Sequence, residues 1–191
     1  MEGLAVSDAN QTKRKIKDVL LDLMMNTDAD KISAAELARK AGISRATFYR
    51  YYDSVDAVLC ELSDEFLEGM RDCHRYYVSA PLDLNNLNVP NPMFVEIARY
   101  LDANRKVFLA KTGAHGDARF TRRWHELFRE FNYGKFAYEG LSRKDMDVYM
   151  EFTLAGMDAM IRYWFEKRSD MSPELDAPIM QRILFGPFVC G

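Results

Sequence analysis

From position 33 to position 52 the chain reads Ser-Ala-Ala-Glu-Leu-Ala-Arg-Lys-Ala-Gly-Ile-Ser-Arg-Ala-Thr-Phe-Tyr-Arg-Tyr-Tyr. Two short helices cross tightly only where small residues meet, and Ala38 and Ala41 supply that contact. Gly42 tolerates the positive φ that the intervening turn requires. Leu37, Ile43 and Phe48 are the apolar anchors onto a preceding helix. The second helix then presents Arg45, Ala46, Thr47, Tyr49, Arg50 and Tyr51 outward, a poor surface for burial but a good one for the major groove of DNA. The plainer alternative is that Arg45 and Arg50 only solvate an exposed helix.

No other chemistry is called for. His74, His115 and His125 are widely separated, and only Cys73 and His74 adjoin, so no tetrahedral metal spacing arises. Gly113-Ala114-His115-Gly116 lacks the lysine and the strand of a phosphate loop. No Gly-x-Ser-x-Gly elbow, carboxylate pair or Cys-His signature is visible, and His125 beside Trp124 reads as a rim residue. The expectation is no enzyme, no metal and no cofactor.

The elements that position the motif follow from composition and spacing. The 191 residues are 48% hydrophobic and 13% aromatic, enough to bury a core, with a net charge of −3. No apolar run is long enough to span a membrane, and the first 17 residues, polar and without a signal-peptide core, read as frayed. Cys60, Cys73 and Cys190 form no disulfide framework, which fits a reducing, cytoplasmic setting. Residues 10–54 carry nine basic and six acidic groups, whereas residues 61–191 carry 17 and 20: a mildly positive head on a mildly negative body.

Helical spacing is found throughout, so the fold class is all-α. Ile16, Val19, Leu20, Leu23 and Met24 form the stripe of a first helix with Thr12 as its N-cap. Ser33 and Ser44 cap two short helices, and Asp53 or Ser54 caps a long fourth one. Residues 80–92, rich in proline and asparagine, read as a loop. Further helices are expected over 93–103, 104–111, 117–138 and 143–167, with a last one after Ser172-Pro173. The domains are a three-helix head, 1–53, and a helical body, 54–191.

Residues 38–52 resemble the TetR family of bacterial transcription regulators, whose pattern is IAxxAGVSxGTLYxYF. The resemblance implies an N-terminal helix-turn-helix domain and a C-terminal domain for dimerisation and, usually, ligand binding. It implies double-stranded DNA as a partner, a homodimer on a palindromic operator, and most often repression. Carried over, Ser44 caps the recognition helix near phosphate, Arg45, Ala46 and Thr47 take the base-edge positions, and Tyr49 and Tyr51 offer hydroxyls to phosphate. Ser33 opens the helix that meets the backbone. Arg45 is the best candidate for a guanine contact, because a guanidinium addresses two acceptors at once. Arg50 joins the DNA-binding set.

One departure matters. The family usually places a lysine in the first turn of the fourth helix, where Val55 stands here between Asp53 and Asp56. One lost phosphate contact flattens salt dependence by ~0.9 log unit. The expectation is modest affinity, or compensation by Lys13, Arg14 and Arg50. The departure also keeps open a second reading, a helical dimer that regulates through a partner protein.

In the body, residues 143–167 are apolar nearly all round, with Glu151, Asp158, Arg162 and Glu166 confining polarity to one stripe. Such a helix needs cover on two sides. The core on one side and a twofold partner on the other are expected, with Phe152, Gly156, Met160 and Tyr163 at the dimer interface. Tyr100, Phe108, Trp124, Phe128, Tyr149, Met157 and Trp164 either are plain core, as is commoner at helical spacing, or line a pocket for a small hydrophobic effector. The C-terminal stretch also resembles a subgroup similar to the dihydroxyacetone-kinase activator. Pro178 departs from it and suggests a last helix that starts later, with Asp176 as cap.

Overall fold

Thr12 does not open the first helix. In the computed structural model, which describes residues 2–77, 83, 86–133, 142–167 and 172–189, α1 runs Glu2–Met24, and the Thr12 hydroxyl donates to the Asp8 carbonyl one turn back. A threonine hydroxyl satisfied in this way sits inside a helix and is not needed as a cap. The segment expected to fray is thus helical from residue 2. The remaining helices among the described residues are α2 Ala34–Lys40, α3 Arg45–Tyr51, α4 Val55–Tyr77, α5 Pro92–Ala103, α6 Arg105–Thr112, α7 Ala118–Tyr133, α8 Arg143–Lys167 and α9 Pro173–Val189. A single 3-10 turn, Ala29–Lys31, precedes α2, and no strand occurs among the described residues. Cys190, parts of the 80–92 segment and residues 134–141, where the seventh helix was expected to continue, lie outside the described residues.

The chain forms two units. The first comprises Met1–Phe66 and Lys106–Thr121, so the end of α3 falls inside it. Its core joins Ile16, Leu20 and Met24 of α1 to Leu37 and Ala38 of α2, Phe48 of α3, Val58, Leu59 and Leu62 of α4, and Ala110 of α6. α2 ends in two bonds, Gly42 N–H to Arg39 carbonyl at 3.1 Å and Ile43 N–H to Ala38 carbonyl at 3.0 Å. This is the Schellman arrangement, and it needs the φ of +63° that Gly42 adopts. Ser54, rather than Asp53, caps α4 by accepting the Ala57 amide at 3.1 Å.

The second unit comprises Leu67–Arg105 and Arg122–Gly191. α5 and α9 pack together, with Phe94 and Phe185 edge-to-face at 5.9 Å, and α8 packs on α9. The buried Gln181 side chain clamps the chain entering α5: its Oε1 accepts the Asn91 amide at 2.6 Å, and its Nε2 donates to the Val89 carbonyl at 3.0 Å. α9 runs from Pro173 straight through Pro178, which corrects the later start. The Asp176 amide donates to the Ser172 carbonyl at 2.9 Å, so Asp176 lies in the first turn, buried, and is not a cap. Pro178 is tolerated because the carbonyl it leaves without a donor belongs to Glu174 in that exposed first turn.

Candidate nucleic-acid interface

Each short helix of the head is opened by a serine. Ser33 Oγ accepts the Glu36 amide at 3.1 Å, and Ser44 Oγ accepts the Thr47 amide at 2.9 Å. Thr47 Oγ1 and Ser44 Oγ also share a hydrogen bond of 2.8 Å, which orients both hydroxyls at the start of α3. The helix is anchored by Phe48, fully buried, so its neighbours face outward: Arg45, Ala46, Tyr49 and Arg50 are exposed, and Thr47 and Tyr51 half-buried. Arg50 donates to the Tyr51 hydroxyl at 3.0 Å and lies over that ring. Ser33, Ser44, Arg45, Ala46, Thr47, Tyr49, Arg50 and Tyr51 are therefore all in the first unit, on α3 or at the caps of α2 and α3.

Behind α3 the charges are structural. Lys13 and Lys17 of α1 reach α4: Lys13 pairs with Glu61 at 3.0 Å, and Lys17 with Glu61 at 2.7 Å and Glu65 at 2.6 Å. Burial alone would raise the Glu61 carboxyl, but the two lysines outweigh it and hold it below the usual carboxylate range. Tyr52, buried beside the same carboxylate, is pushed above its ordinary pKa by burial and by Glu61. Lys13 is thus engaged by α4.

The start of α4 is acidic. Val55 is the first residue of the helix, and Asp56 pairs with Arg119 at 2.6 Å, which holds its carboxyl below the usual range. Arg119 also grips Asp117 at 3.0 Å. His115 Nδ1 lies 2.6 Å from Asp28 Oδ1, and the Ala29 amide donates to the His115 carbonyl at 3.2 Å. These groups border a cleft of about 670 Å³ whose acidic lining is Asp28, Asp30, Asp56 and Asp117. Beneath it Lys111, with no exposed surface, donates to the Leu59 carbonyl at 2.7 Å and to Ser63 Oγ at 2.9 Å, 3.8 Å from Asp117. Burial pushes Lys111 down to about 8. Sequence reasoning missed this cluster. Its one visible signal was that Lys111 shares a helical stripe with Val107 and Phe108, which is unusual for a lysine.

In the second unit α8 is covered on one side only by its own chain. Met150, Leu154, Met157, Ile161, Trp164 and Phe165 are buried, whereas Val148, Phe152 and Tyr163 are 67, 75 and 58% exposed. Met160 is half-buried, and a Cβ added at Gly156 would meet nothing within 4 Å. Asp158, on the polar stripe of α8, accepts Trp124 Nε1 at 2.9 Å and lies 2.6 Å from His125 Nε2. Of the seven aromatic and methionine candidates for an effector pocket, Phe108 belongs to the first unit, where it packs against Phe66. Trp124, Phe128, Met157 and Trp164 are buried in the second unit, Tyr149 donates its hydroxyl to the Leu184 carbonyl, and the half-buried Tyr100 ring lies over Gly69.

The comparisons agree with this architecture. Residues 17–62 match the family model of the bacterial regulatory proteins of the tetR family, and residues 88–186, just over half the chain, match that of a transcriptional regulator C-terminal region. A curated relative, the uncharacterized HTH-type transcriptional regulator YxbF of Bacillus subtilis, is 22% identical over 160 residues, 84% of this chain; the chain spans 41% of that relative's length. Among solved structures, a TetR transcriptional regulator from Streptococcus agalactiae is similar with a TM-score of 0.61 and 19% identity, over 97% of this chain and 99% of that one. The dihydroxyacetone kinase operon activator DhaS is similar with a TM-score of 0.52 and 19% identity, over 93 and 96%. At these identities the structural likeness is one of fold. The family models settle membership: this chain belongs to the TetR family of bacterial regulatory proteins.

Proposed function

We propose that the protein is a sequence-specific DNA-binding transcription regulator, a homodimer that places one α3 from each subunit in the major groove of a palindromic operator. The observation that carries this is α3 itself: a helix anchored by one buried phenylalanine and opened by the Ser44 cap, with Arg45, Ala46, Tyr49 and Arg50 exposed. Residues 1–53 read the DNA, and residues 54–191 dimerise and respond to an effector. The exposed stripe of Val148, Phe152 and Tyr163 beside Gly156 supports a self-complementary contact, since large apolar side chains in a row are rarely left to water. Half-sites then lie about 34–36 Å apart, or a multiple of that. Repression, released by a small apolar effector that shifts the population between two body conformations, is the regulatory mode we assign.

A second reading, regulation through a partner protein with weak DNA binding, draws on the acidic entry to α4, where Asp56 and Arg119 are tied to each other. Titration against DNA from upstream of the chain's own gene, at two salt concentrations with scrambled competitor, separates the two. Competitor-resistant binding at two protomers per site is expected, and binding indistinguishable from scrambled DNA would favour the partner reading. Within the first reading, Arg45→Ala relaxes base preference by ~1–3 kcal/mol; operator affinity unchanged in that variant would remove the role given to Arg45.

A further inference from the structure

We infer that Arg14 and Lys15 of α1 form a phosphate clamp beside the helix-turn-helix turn, replacing the contact that Val55 cannot make. The inference rests on the DNA-binding reading above and names further residues of that interface. α1 carries four basic residues in five positions, 13, 14, 15 and 17, and the helix sorts them onto two faces. Lys13 and Lys17, one turn apart, are bound to Glu61 and Glu65 and neutralised there. Arg14 and Lys15 are exposed and make no ion pair among the described residues. One turn before them stand Asn10 and Gln11, also exposed, and the four side chains share a shallow groove of about 610 Å³ with Asp18 and Val19. Two cations and two amides on one helix face are the donor set that binds phosphate oxygens.

Position decides what this face meets. Lys15 Nζ stands 3.5 Å from where a Cβ on Gly42 would be, and Gly42 is the turn residue two positions before Ser44, the cap of α3. A cation there accompanies the end of α3 that enters the groove. The cleft at the start of α4 offers phosphate no available cation at Arg119: Asp28, Asp30, Asp56 and Asp117 line it, and Arg119 is held by two of them. The backbone strand that the family would bind at α4 finds no cationic side chain at Val55, whereas α1 offers two unneutralised cations.

Phosphate contacts act on any duplex, so no operator is needed to test this. The probe is a labelled mixed-sequence duplex, with affinity measured by fluorescence anisotropy between about 50 and 200 mM salt. The Arg14→Ala/Lys15→Ala double variant is expected to flatten the plot of log K against log salt by ~1.8 per protomer, since each lost contact removes ~0.9. Lys15→Arg keeps the wild-type slope, and Lys144→Ala, on exposed α8 surface, changes it by much less than the double variant. The far-ultraviolet spectrum and melting curve of the double variant match wild type, because both side chains are solvent-facing. A double variant with the slope of Lys144→Ala would overturn the inference while leaving DNA binding intact. A wild-type protein that binds no duplex at low salt would overturn the regulator reading, and this inference with it.

Discussion

Lys111 ought to make the protein more stable as the solution becomes alkaline. Its ammonium is wholly buried, and burial lowers its pKa from the ordinary 10.5 to about 8. Below pH 8 the group is charged in both folded and unfolded chains, and the folded chain bears the full cost of burying that charge. Between pH 8 and 10.5 the folded chain has released the proton and the unfolded chain has not. The unfolded state therefore binds more protons, and stability rises with pH. Integrating this difference gives ~2.5 kcal/mol gained between about pH 7 and 10. Other groups titrate in that range, notably the Cys73 thiol, which burial raises above its ordinary 9.0. The clean quantity is thus the difference between wild type and Lys111→Met. Methionine fills the site without a charge, and Ser63 Oγ still donates to the Leu59 carbonyl at 2.8 Å. Urea unfolding followed by circular dichroism at fixed protein concentration, at several pH values, yields that difference. The variant is expected to be the more stable near pH 7, with its advantage disappearing by pH 10. A difference that stays constant across this range would refute the argument from burial.

Three further outcomes are expected. Gly42→Ala costs ~1–2 kcal/mol in urea unfolding, from the left-handed backbone alone, since the nearest atom to the new Cβ is Lys15 Nζ at 3.5 Å; an unchanged midpoint would deny that the turn is strained for alanine. If the proposed dimer forms through the exposed face of α8, Phe152→Arg sediments as a monomer at concentrations where wild type sediments as a dimer, because a charge on a desolvated self-complementary face repels its twofold mate; two proteins with the same sedimentation coefficient would refute that contact. Gln181→Ala destabilises by ~1–3 kcal/mol, since the Asn91 amide loses its buried acceptor; a loss below half of that would mean the 87–91 segment is held by other contacts.

The helix-turn-helix was legible because it is local. Ser33, Ala38, Gly42, Ser44 and Phe48 act within a few residues of one another, and capping, turn and burial rules apply at that range. Ser44 and Gly42 take the roles that their types demanded. Thr12 misled for the converse reason: a threonine before an apolar stripe resembles a cap, but its hydroxyl is equally satisfied by a carbonyl inside a longer helix. Spacing puts Asp158 on the polar stripe of α8, but its partners Trp124 and His125, more than thirty positions away, are set only by the fold.

Periodicity and short-range contacts along the chain are enough to dictate the all-α class, the head motif and the outward-facing row on α3. The sequence also marks α8 as too apolar for one-sided burial, because helical period exposes such an excess wherever the helix packs. Which cations are available depends on long-range folding. Lys13 and Arg14 are neighbours of like charge, yet one is bound to Glu61, 48 positions away, and the other is exposed. The same holds for Asp56 with Arg119 and for Lys111 under α4: whether a charge is paired, buried or exposed depends on what the fold brings beside it, and linear spacing carries no record of that.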